Sequence, residues 1–280
     1  MNLKRLTLVL GILLALVIAV AGCGGGKNDK KEDGAKGGGK TTITIAGSTS
    51  VQPLSDELAK AYSQKNPNVT INVQGGGSSQ GVKAAADGIA PIGASSRKLK
   101  DSEKASVKET TVALDGIAIA VHPKNTKITN LTMDQVKGIF SGKITNWKEV
   151  GGDDAPISVV TREAGSGTRG AFEEIVMSDA KITDKAITQA SNGAVRSTVA
   201  GDDKSIGYLS LGYLSADVKG IKVDNVEPTV ENIKSGTYKV SRPFLYLTKG
   251  DPAGEVKAFI DFVLSPAGQD IVGKHYIKVK

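Results

Sequence analysis

Cysteine, histidine and aromatic residues are scarce in this sequence, and each shortage excludes a class of protein. The 280 residues contain one cysteine, two histidines and one tryptophan, and aromatic residues make up 4%. A single cysteine cannot form a disulfide within the chain. The low aromatic content argues against a surface on which nucleic-acid bases stack. We therefore expect no nucleic-acid partner.

Catalytic and metal-binding patterns are also missing. There is no Gly-Lys-Ser/Thr phosphate loop, and no His, Cys, Asp and Glu cluster has the spacing of metal ligands. His122 ends a predicted strand and His275 lies near the C-terminus, so neither is placed to serve a nucleophile. We expect no enzyme activity, no metal and no cofactor.

The net charge is only mildly basic once the N-terminal region is set aside. Of the formal charge of +7, residues 1–40 carry +4, which leaves +3 for residues 41–280. This small excess does not predict nucleic-acid binding, but it modestly favours small anions.

The N-terminus has the layout of an export signal. Lys4 and Arg5 precede an apolar run, and small residues lead to Cys23. The stretch Val20-Ala21-Gly22-Cys23 resembles the lipobox of bacterial lipoproteins, which implies a signal peptide over 1–22 and acylation, such as palmitate, at Cys23. An uncleaved membrane anchor is the alternative. Either interpretation puts the protein at the extracytoplasmic face of the cell membrane, and the glycine- and charge-rich residues 23–40 are predicted to form a flexible tether.

The remaining 240 residues repeat a pattern of short strand, polar loop and helix. Strands are predicted at 41–46, 69–74, 89–97 and 156–161, and a long buried strand at 110–123, interrupted by Asp115-Gly116. Residues 251–274 predict two amphipathic helices separated at Pro266. Alternation of this kind predicts an α/β fold with mostly parallel sheets and helices on both faces, and the length suits two lobes.

Three loops that follow strands are rich in glycine and hydroxyl groups. They read GSTS at 47–50, GGGSS at 75–79 and REAGSGT at 162–168. Free amides at a helix start, hydroxyl donors and glycine backbone together suit a small anion, although serine and threonine also cap helices for purely structural reasons. In open α/β sheets such loops share the carboxyl edge of the strands, where ligands bind.

The third loop also matches two other motifs formally. Residues 165–170, GSGTRG, fit the dinucleotide pattern G-x-G-x-x-G, but no clear apolar strand and acidic residue follow them. Ser166 directly follows Gly165, so the G-x-S-x-G nucleophile turn is absent. The interpretation that remains is an anion site in which Arg162 supplies a fixed positive charge.

These loops and further segments together resemble the phosphate-binding proteins of the phosphate ABC importer, the PstS family. The segments that carry the resemblance, in order over residues 41–280, are AGSTSVQP, QGGGSSQGVKA, IGASSR, FSGKITNWKEVGG, TREAGSGTRGAF, IGYLSLGYL and SRPFLYLTKG. The resemblance implies a type II periplasmic-binding-protein fold with two lobes that close on one ligand. It also implies inorganic phosphate as ligand and a membrane permease as partner, and we expect a monomer.

Position by position, the resemblance implies a set of phosphate-binding residues. They are Ser48, Thr49, Ser50, Ser78, Arg162, Ser166, Gly167 and Thr168. One position departs from the family pattern, because some members carry an aspartate directly after GAS that accepts the proton of hydrogen phosphate. Ser96, followed by Arg97, stands there in this sequence.

The missing aspartate matters because a carboxylate that needs a hydrogen bond rejects sulfate, which has no proton at neutral pH. Asp115 is the first candidate for this acceptor, with an Asp-Gly turn or bulge as its structural alternative. Glu163 is the second, and an ion pair that holds Arg162 in place is the interpretation we favour for it. Without an acceptor, the same site could hold sulfate or another oxyanion.

The predicted lobes are residues 41–115 with 243–280, and residues 116–242. The strand near 112–121 is expected to lead into the second lobe and residues 241–248 to lead back. Two other functions stay open at this point: a phosphate-sensing or adhesive surface protein, and an exported enzyme of phosphate metabolism.

Overall fold

The computed structural model describes residues 39–280, which form ten strands and nine α-helices. The predicted signal peptide, Cys23 and most of the tether lie outside the described residues. No helix within residues 39–280 is long and apolar enough to cross a membrane. The strands are β1 (Thr41–Gly47), β2 (Val69–Gly75), β3 (Ile92–Ser95), β4 (Lys108–Val121), β5 (Asn130–Leu131), β6 (Ser158–Arg162), β7 (Ile187–Gln189), β8 (Ser205–Ser210), β9 (Lys219–Val223) and β10 (Ser241–Thr248). The helices are α1 (Gln52–Lys65), α2 (Ser78–Ala86), α3 (Asp101–Lys104), α4 (Met133–Phe140), α5 (Gly167–Phe172), α6 (Asn192–Gly201), α7 (Val230–Lys234), α8 (Gly254–Leu264) and α9 (Pro266–Val272).

The strands form a mixed sheet that is shared between two lobes. Its order is β2-β1-β3-β10-β4-β8-β6-β7, and β9 pairs with both β4 and β5. Strands β1, β2 and β3 are parallel, as are β6, β7 and β8, whereas β4 and β10 run antiparallel to their neighbours. This arrangement confirms the predicted two-lobed α/β fold with parallel strands within each lobe.

Strand β4 connects the two halves of the sheet. It pairs with β10 through Gly116 and with β8 from Ile117 onward. The predicted interruption at Asp115-Gly116 is wrong, because the strand is continuous there and only its partner changes. Asp115 stays in the ladder opposite Arg242, and a side chain on Gly116 would clash with Ile233, whose Cδ1 lies 2.3 Å from the added Cβ position. The pairing supports the predicted crossover, while the lobe bounds stay a prediction.

Each lobe has its own hydrophobic core. The first core joins β1, β3, α1, α8 and the first half of β4, with buried Ile45, Leu58 and Phe259 at its centre. The second joins the other half of β4 to α4, α5 and β8, and in it the rings of Phe172 and Tyr208 stack at 4.1 Å. Two separate cores are what a protein needs to hold two rigid bodies on either side of a cleft.

Helix boundaries follow the predicted signals. Proline occupies the first turn of α1, where no N–H is required, and α9 begins at Pro266 with the Ser265 hydroxyl accepting the Gly268 N–H at 3.3 Å. Strands β5, β7, β8 and β9 were not predicted. Of these, β7 follows α5 and pairs with β6. Strand β7 spans only three residues and its Ile187 is about half exposed, so the sequence shows no apolar pattern there. The strand ends at Gln189, whereas the dinucleotide motif requires an acidic residue at that place.

Candidate anion-binding site

The three hydroxyl-rich loops meet in the cleft between the lobes. The β1–α1 and β2–α2 loops belong to the first lobe and the β6–α5 loop to the second. The Ser79 N–H donates to the Gly165 carbonyl at 3.0 Å, and the hydroxyls of Ser50 and Thr168 lie 2.8 Å apart. The predicted site side chains are all buried here: Ser48, Thr49, Ser50, Ser78, Ser96, Asp115, Arg162, Ser166 and Thr168. The lobes are therefore in contact in this structure.

One group of hydroxyls surrounds Ser96 on the first lobe. Ser48 Oγ donates to Ser96 Oγ at 2.8 Å, and the Ser96 N–H donates to Ser78 Oγ at 3.0 Å. Gly167 of the second lobe lies against this group, because a Cβ there would be 2.1 Å from Ser78 Oγ and 2.6 Å from Ser96 Oγ. The absence of a side chain at Gly167 thus lets the start of α5 approach the serines.

Ser166 positions that helix start. Its hydroxyl accepts the Arg169 N–H at 3.2 Å, which caps α5 in the way expected for a structural serine. The loop before it needs Gly165, whose φ of +94° is unfavourable for residues with a side chain. Ser166 is 3% exposed and stays within the cleft.

A second group of hydroxyls surrounds Ser50. Ser50 Oγ lies 3.0 Å from Arg242 Nη2 and 2.8 Å from Asn192 Nδ2, besides its contact with Thr168. Asn192 Nδ2 also donates to Thr49 Oγ1 at 3.1 Å. Residues from β10, α5 and α6 therefore converge on the loop that follows β1.

Arg162 is buried and fixed by several acceptors. Its Nε and Nη2 donate to the two carboxylate oxygens of Glu163 at 2.8 and 2.9 Å, and weaker bonds reach the carbonyls of Gln189 and Ala190 at 3.2 and 3.4 Å. Its Nη1 has no hydrogen-bond partner among the described residues. Glu163 thus forms the ion pair that we favoured for it, and Arg162 keeps one free donor.

Asp115 forms a buried ion pair with Arg242 of the neighbouring strand. Asp115 Oδ2 accepts from Arg242 Nη2 at 3.0 Å and from Nε at 3.2 Å, whereas Oδ1 has no partner among the described residues. Burial raises the pKa of Asp115 from 3.8 to about 6, although Arg242 and, more weakly, the nearby Ser210 hydroxyl and Leu211 N–H act in the opposite direction. The carboxylate is therefore ionised at neutral pH, and its Oδ1 makes no hydrogen bond of good geometry to these neighbours.

The site contains two buried cations with unused donors. Burial lowers the pKa of Arg242, the ion pair with Asp115 opposes this, and the nearby charge of Arg162 adds to the lowering. Four of the buried polar atoms without a partner belong to this region: Asp115 Oδ1, Arg162 Nη1, Ser210 Oγ and Arg242 Nη1. Buried polar groups without a hydrogen-bond partner are rare, so a cluster of four such atoms indicates a site for a polar ligand. Within residues 39–280, no group of three His, Cys, Asp or Glu could hold a metal ion.

An open groove of about 560 Å³ borders the cluster. It is lined by Ser79 and Arg97 on one side and by Gly165 and Ser166 on the other. Arg97 donates from Nη1 and Nη2 to the two carboxylate oxygens of Glu103, each at 2.8 Å. The charge of Arg97 is therefore balanced, and Lys98 and Arg169 of the same groove pair with Glu174 and Glu173. The buried cluster, with its unused donors, suits an anion better than the groove does.

Sequence reasoning missed two residues of the cluster, Asn192 and Arg242. Asn192 begins α6 after the unpredicted strand β7, and Arg242 lies at the start of a strand that reads as ordinary core. The paired register of Arg242 with Asp115 could have been inferred if β4 and β10 had been predicted as neighbours.

Comparison with known proteins agrees with this geometry. Residues 34–267 match the PBP superfamily domain, so the chain belongs to the class of two-lobed binding proteins. The phosphate-binding protein PstS of Bacillus subtilis (strain 168) is 35% identical over 94% of this chain and 90% of that protein. The PstS of Borreliella burgdorferi is 34% identical over 88% of this chain and 90% of that protein. The chain belongs to the PstS family.

Solved structures give the same result. A phosphate ABC transporter substrate-binding protein from Clostridium perfringens, with bound phosphate, is 48% identical and has a TM-score of 0.82. The match covers 86% of this chain and 100% of that one. An ABC-type phosphate transport receptor from Vibrio cholerae is 41% identical with a TM-score of 0.70, over 84% and 99% of the two chains.

Proposed function

We propose that the protein captures inorganic phosphate between its lobes and delivers it to the permease of an ABC importer. The observation that carries the proposal is the buried cluster in which hydroxyls from three loops and two arginines converge, with donors left unused. A tetrahedral oxyanion offers only acceptor oxygens at its surface apart from any proton it carries, so it complements such donors. The relatives named above bind or transport phosphate, which supports the same ligand here.

In this proposal both lobes contribute donors to the ligand. Arg162 contributes Nη1, the donor that its partners leave free, and the cap position of α5 directs backbone amides toward the anion. The first lobe contributes the hydroxyls that follow β1 and β2. The residues proposed to bind phosphate are Ser48, Thr49, Ser50, Ser78, Ser96, Arg162, Ser166, Gly167 and Thr168, with Asp115 as acceptor.

Asp115 is proposed to supply the selectivity for phosphate. Its free Oδ1 can accept the proton that hydrogen phosphate carries at neutral pH. Sulfate has no proton to donate, so its binding would leave the buried oxygen unpaired and place two negative groups together. The Asp115–Arg242 pair therefore takes the place of the family aspartate that Ser96 replaces.

Calorimetric titration of the purified protein with phosphate, sulfate and molybdate tests the proposal. We expect tight binding of phosphate, weaker binding of sulfate, and loss of phosphate binding in Arg162→Ala. Lys143→Ala removes an exposed cation of the same lobe and should bind phosphate as the wild type does. Failure of the wild type to bind phosphate, or a preference for sulfate, would refute the assignment of the ligand.

Delivery to a permease needs a separate test, because a sensing or adhesive protein would bind phosphate equally well. We propose a monomer that is held at the extracytoplasmic face of the membrane through acylated Cys23. Phosphate uptake by a deletion strain should be restored by the wild type, and Cys23→Ser should release the protein from the membrane. Phosphatase activity of the purified protein would favour an enzyme instead.

A further inference from the structure

Asn192 links the two lobes at the centre of the cleft without a charge of its own. It begins α6 in the second lobe and is fully buried. Its Nδ2 donates across the cleft to Thr49 Oγ1 at 3.1 Å and to Ser50 Oγ at 2.8 Å. Its Oδ1 accepts the backbone N–H of Ser210 at 3.0 Å, from the end of β8.

The orientation of this amide is fixed by its own lobe. A backbone N–H can only donate, so the oxygen of Asn192 must face Ser210 and the NH2 group must face the hydroxyls of the first lobe. Asn192 therefore presents donors, and no acceptor, to Thr49 and Ser50.

The hydrogen bonds of Ser50 then have only one possible direction. Its hydroxyl oxygen has two lone pairs, and two donor-only groups occupy them: Arg242 Nη2 at 3.0 Å and Asn192 Nδ2 at 2.8 Å. The remaining contact, with Thr168 Oγ1 at 2.8 Å, must use the proton of Ser50. As a result, the hydroxyl proton of Thr168 is released to another acceptor.

Thr49 is directed less strictly. Asn192 occupies one of the two lone pairs of its hydroxyl and cannot accept its proton, so that proton is available to a third group. The same amide thus leaves two hydroxyl protons, one from each lobe, free to be donated.

We propose that Asn192 orients the hydroxyls of Thr49 and Thr168 so that both can donate their protons to the ligand. This orientation makes the site prefer a ligand that only accepts hydrogen bonds. Asn192 is a positioning residue in this scheme and does not itself contact the anion. The inference rests on the proposed function, because it treats Thr49 and Thr168 as ligand donors.

A double-mutant cycle on phosphate binding, measured by titration calorimetry, tests this role. In the wild type, Thr49→Val removes a donor to an anion and should raise the Kd about tenfold or more. Asn192→Asp keeps the acceptor for Ser210 but turns the cleft-facing group into an acceptor, so the hydroxyls would donate to it. In that background Thr49→Val should change the Kd by about twofold or less, because its proton is already in use.

The cycle separates donor direction from simple charge repulsion. The new carboxylate of Asn192→Asp repels an anion whether or not residue 49 has a hydroxyl, so repulsion alone would leave the effect of Thr49→Val unchanged. Asn225→Asp adds the same charge at an exposed position of the same lobe, where the backbone φ of +67° suits both residues, and it should bind as the wild type does.

Asn192→Ala provides a second variant if the aspartate variant folds poorly. It removes the donors without supplying a competing acceptor, so it should weaken binding less than Asn192→Asp. Repulsion by the new carboxylate predicts the same order, so the double-mutant cycle, and not this order alone, identifies the donor direction. An additive cycle would overturn the inference, and so would weaker binding by Asn192→Ala than by Asn192→Asp, while phosphate binding by the wild type stands. No binding by the wild type would instead refute the proposed function.

Discussion

The buried pair of Asp115 and Arg242 makes a quantitative prediction about stability and pH. Burial raises the pKa of Asp115 from an ordinary value of 3.8 to about 6. A carboxyl whose pKa is higher in the folded state binds more protons when folded, so its contribution to stability is lost as the pH rises from about 4 to about 6. A difference of about two pKa units corresponds to roughly 3 kcal/mol.

Asp115→Asn provides the reference for this measurement. The amide does not titrate, and Arg242 stays charged throughout the range. Any difference in the free energy of unfolding between the two proteins that does not come from titration of Asp115 is therefore the same at every pH. The other carboxyl groups titrate alike in both proteins, so their contributions cancel when the two free energies are subtracted. We expect the free energy of unfolding of the wild type, minus that of Asp115→Asn, to fall by roughly 2 kcal/mol between about pH 4 and pH 7, because the unfolded carboxyl is already partly ionised at pH 4.

Urea unfolding at about pH 4, 5, 6 and 7, followed by circular dichroism in phosphate-free buffers, gives the two sets of free energies. Phosphate must be absent because a bound ligand would stabilise the folded state by mass action. A difference that stays flat would mean that the attraction of Arg242 balances the penalty of burial, and one that increases with pH would mean that the attraction exceeds it. Either result would refute the raised pKa of Asp115.

Three further predictions concern ligand affinity, measured by calorimetry. Gly167→Ala should weaken phosphate binding at least tenfold, because the new Cβ would lie 2.1 Å from Ser78 Oγ and hold the cleft open. The control Gly201→Ala places a Cβ with nothing within 4 Å and should bind phosphate as the wild type does. Equal phosphate affinities of Gly167→Ala and the wild type would contradict the close approach at Gly167. Arg162→Lys should bind phosphate about tenfold more weakly, since lysine keeps the charge but not the planar fork, and an unchanged Kd would exclude a guanidinium contact. Sulfate binding should strengthen below about pH 6, where Asp115 becomes protonated and can donate, and this trend should be absent in Asp115→Asn.

The sequence allowed the loop residues to be grouped correctly, because their signal is local. Thr49 and Ser78 follow β1 and β2, which run parallel, so their loops lie at one edge of the sheet. Arg162 ends β6, which runs opposite to β1 because three antiparallel pairings separate them, so Arg162 reaches the cluster from the second lobe and not through a shared carboxyl edge. The structure places these loops together in one cleft. Their roles toward phosphate stay predictions that the titrations above test.

The residues that were missed depend on pairing between distant segments. Arg242 becomes part of the cluster only because β10 lies beside β4, which puts it opposite Asp115, 127 positions away in the chain. Asn192 becomes part of it because the lobes are in contact. Neither relation has a signature within a short window of sequence.

The error at Asp115-Gly116 has a similar origin. An Asp-Gly pair within an apolar run usually indicates a turn. Here Arg242 stabilises the buried carboxylate, and the glycine makes room for Ile233, so the strand continues through both residues. The Asp115-Gly116 pair therefore marks the place where β4 changes its pairing partner from β10 to β8, and not the end of the strand.

The position of β4 and β10 has a consequence for the order in which a ligand would be enclosed. If the lobes rotate about these two strands, atoms beside the pivot move least, and atoms at the opposite rim move most. The carboxylate and guanidinium of the pivot pair would then be assembled already in the open protein and could receive an incoming ion first. The bond between Ser79 and Gly165 at the rim would form last and act as the final barrier to escape.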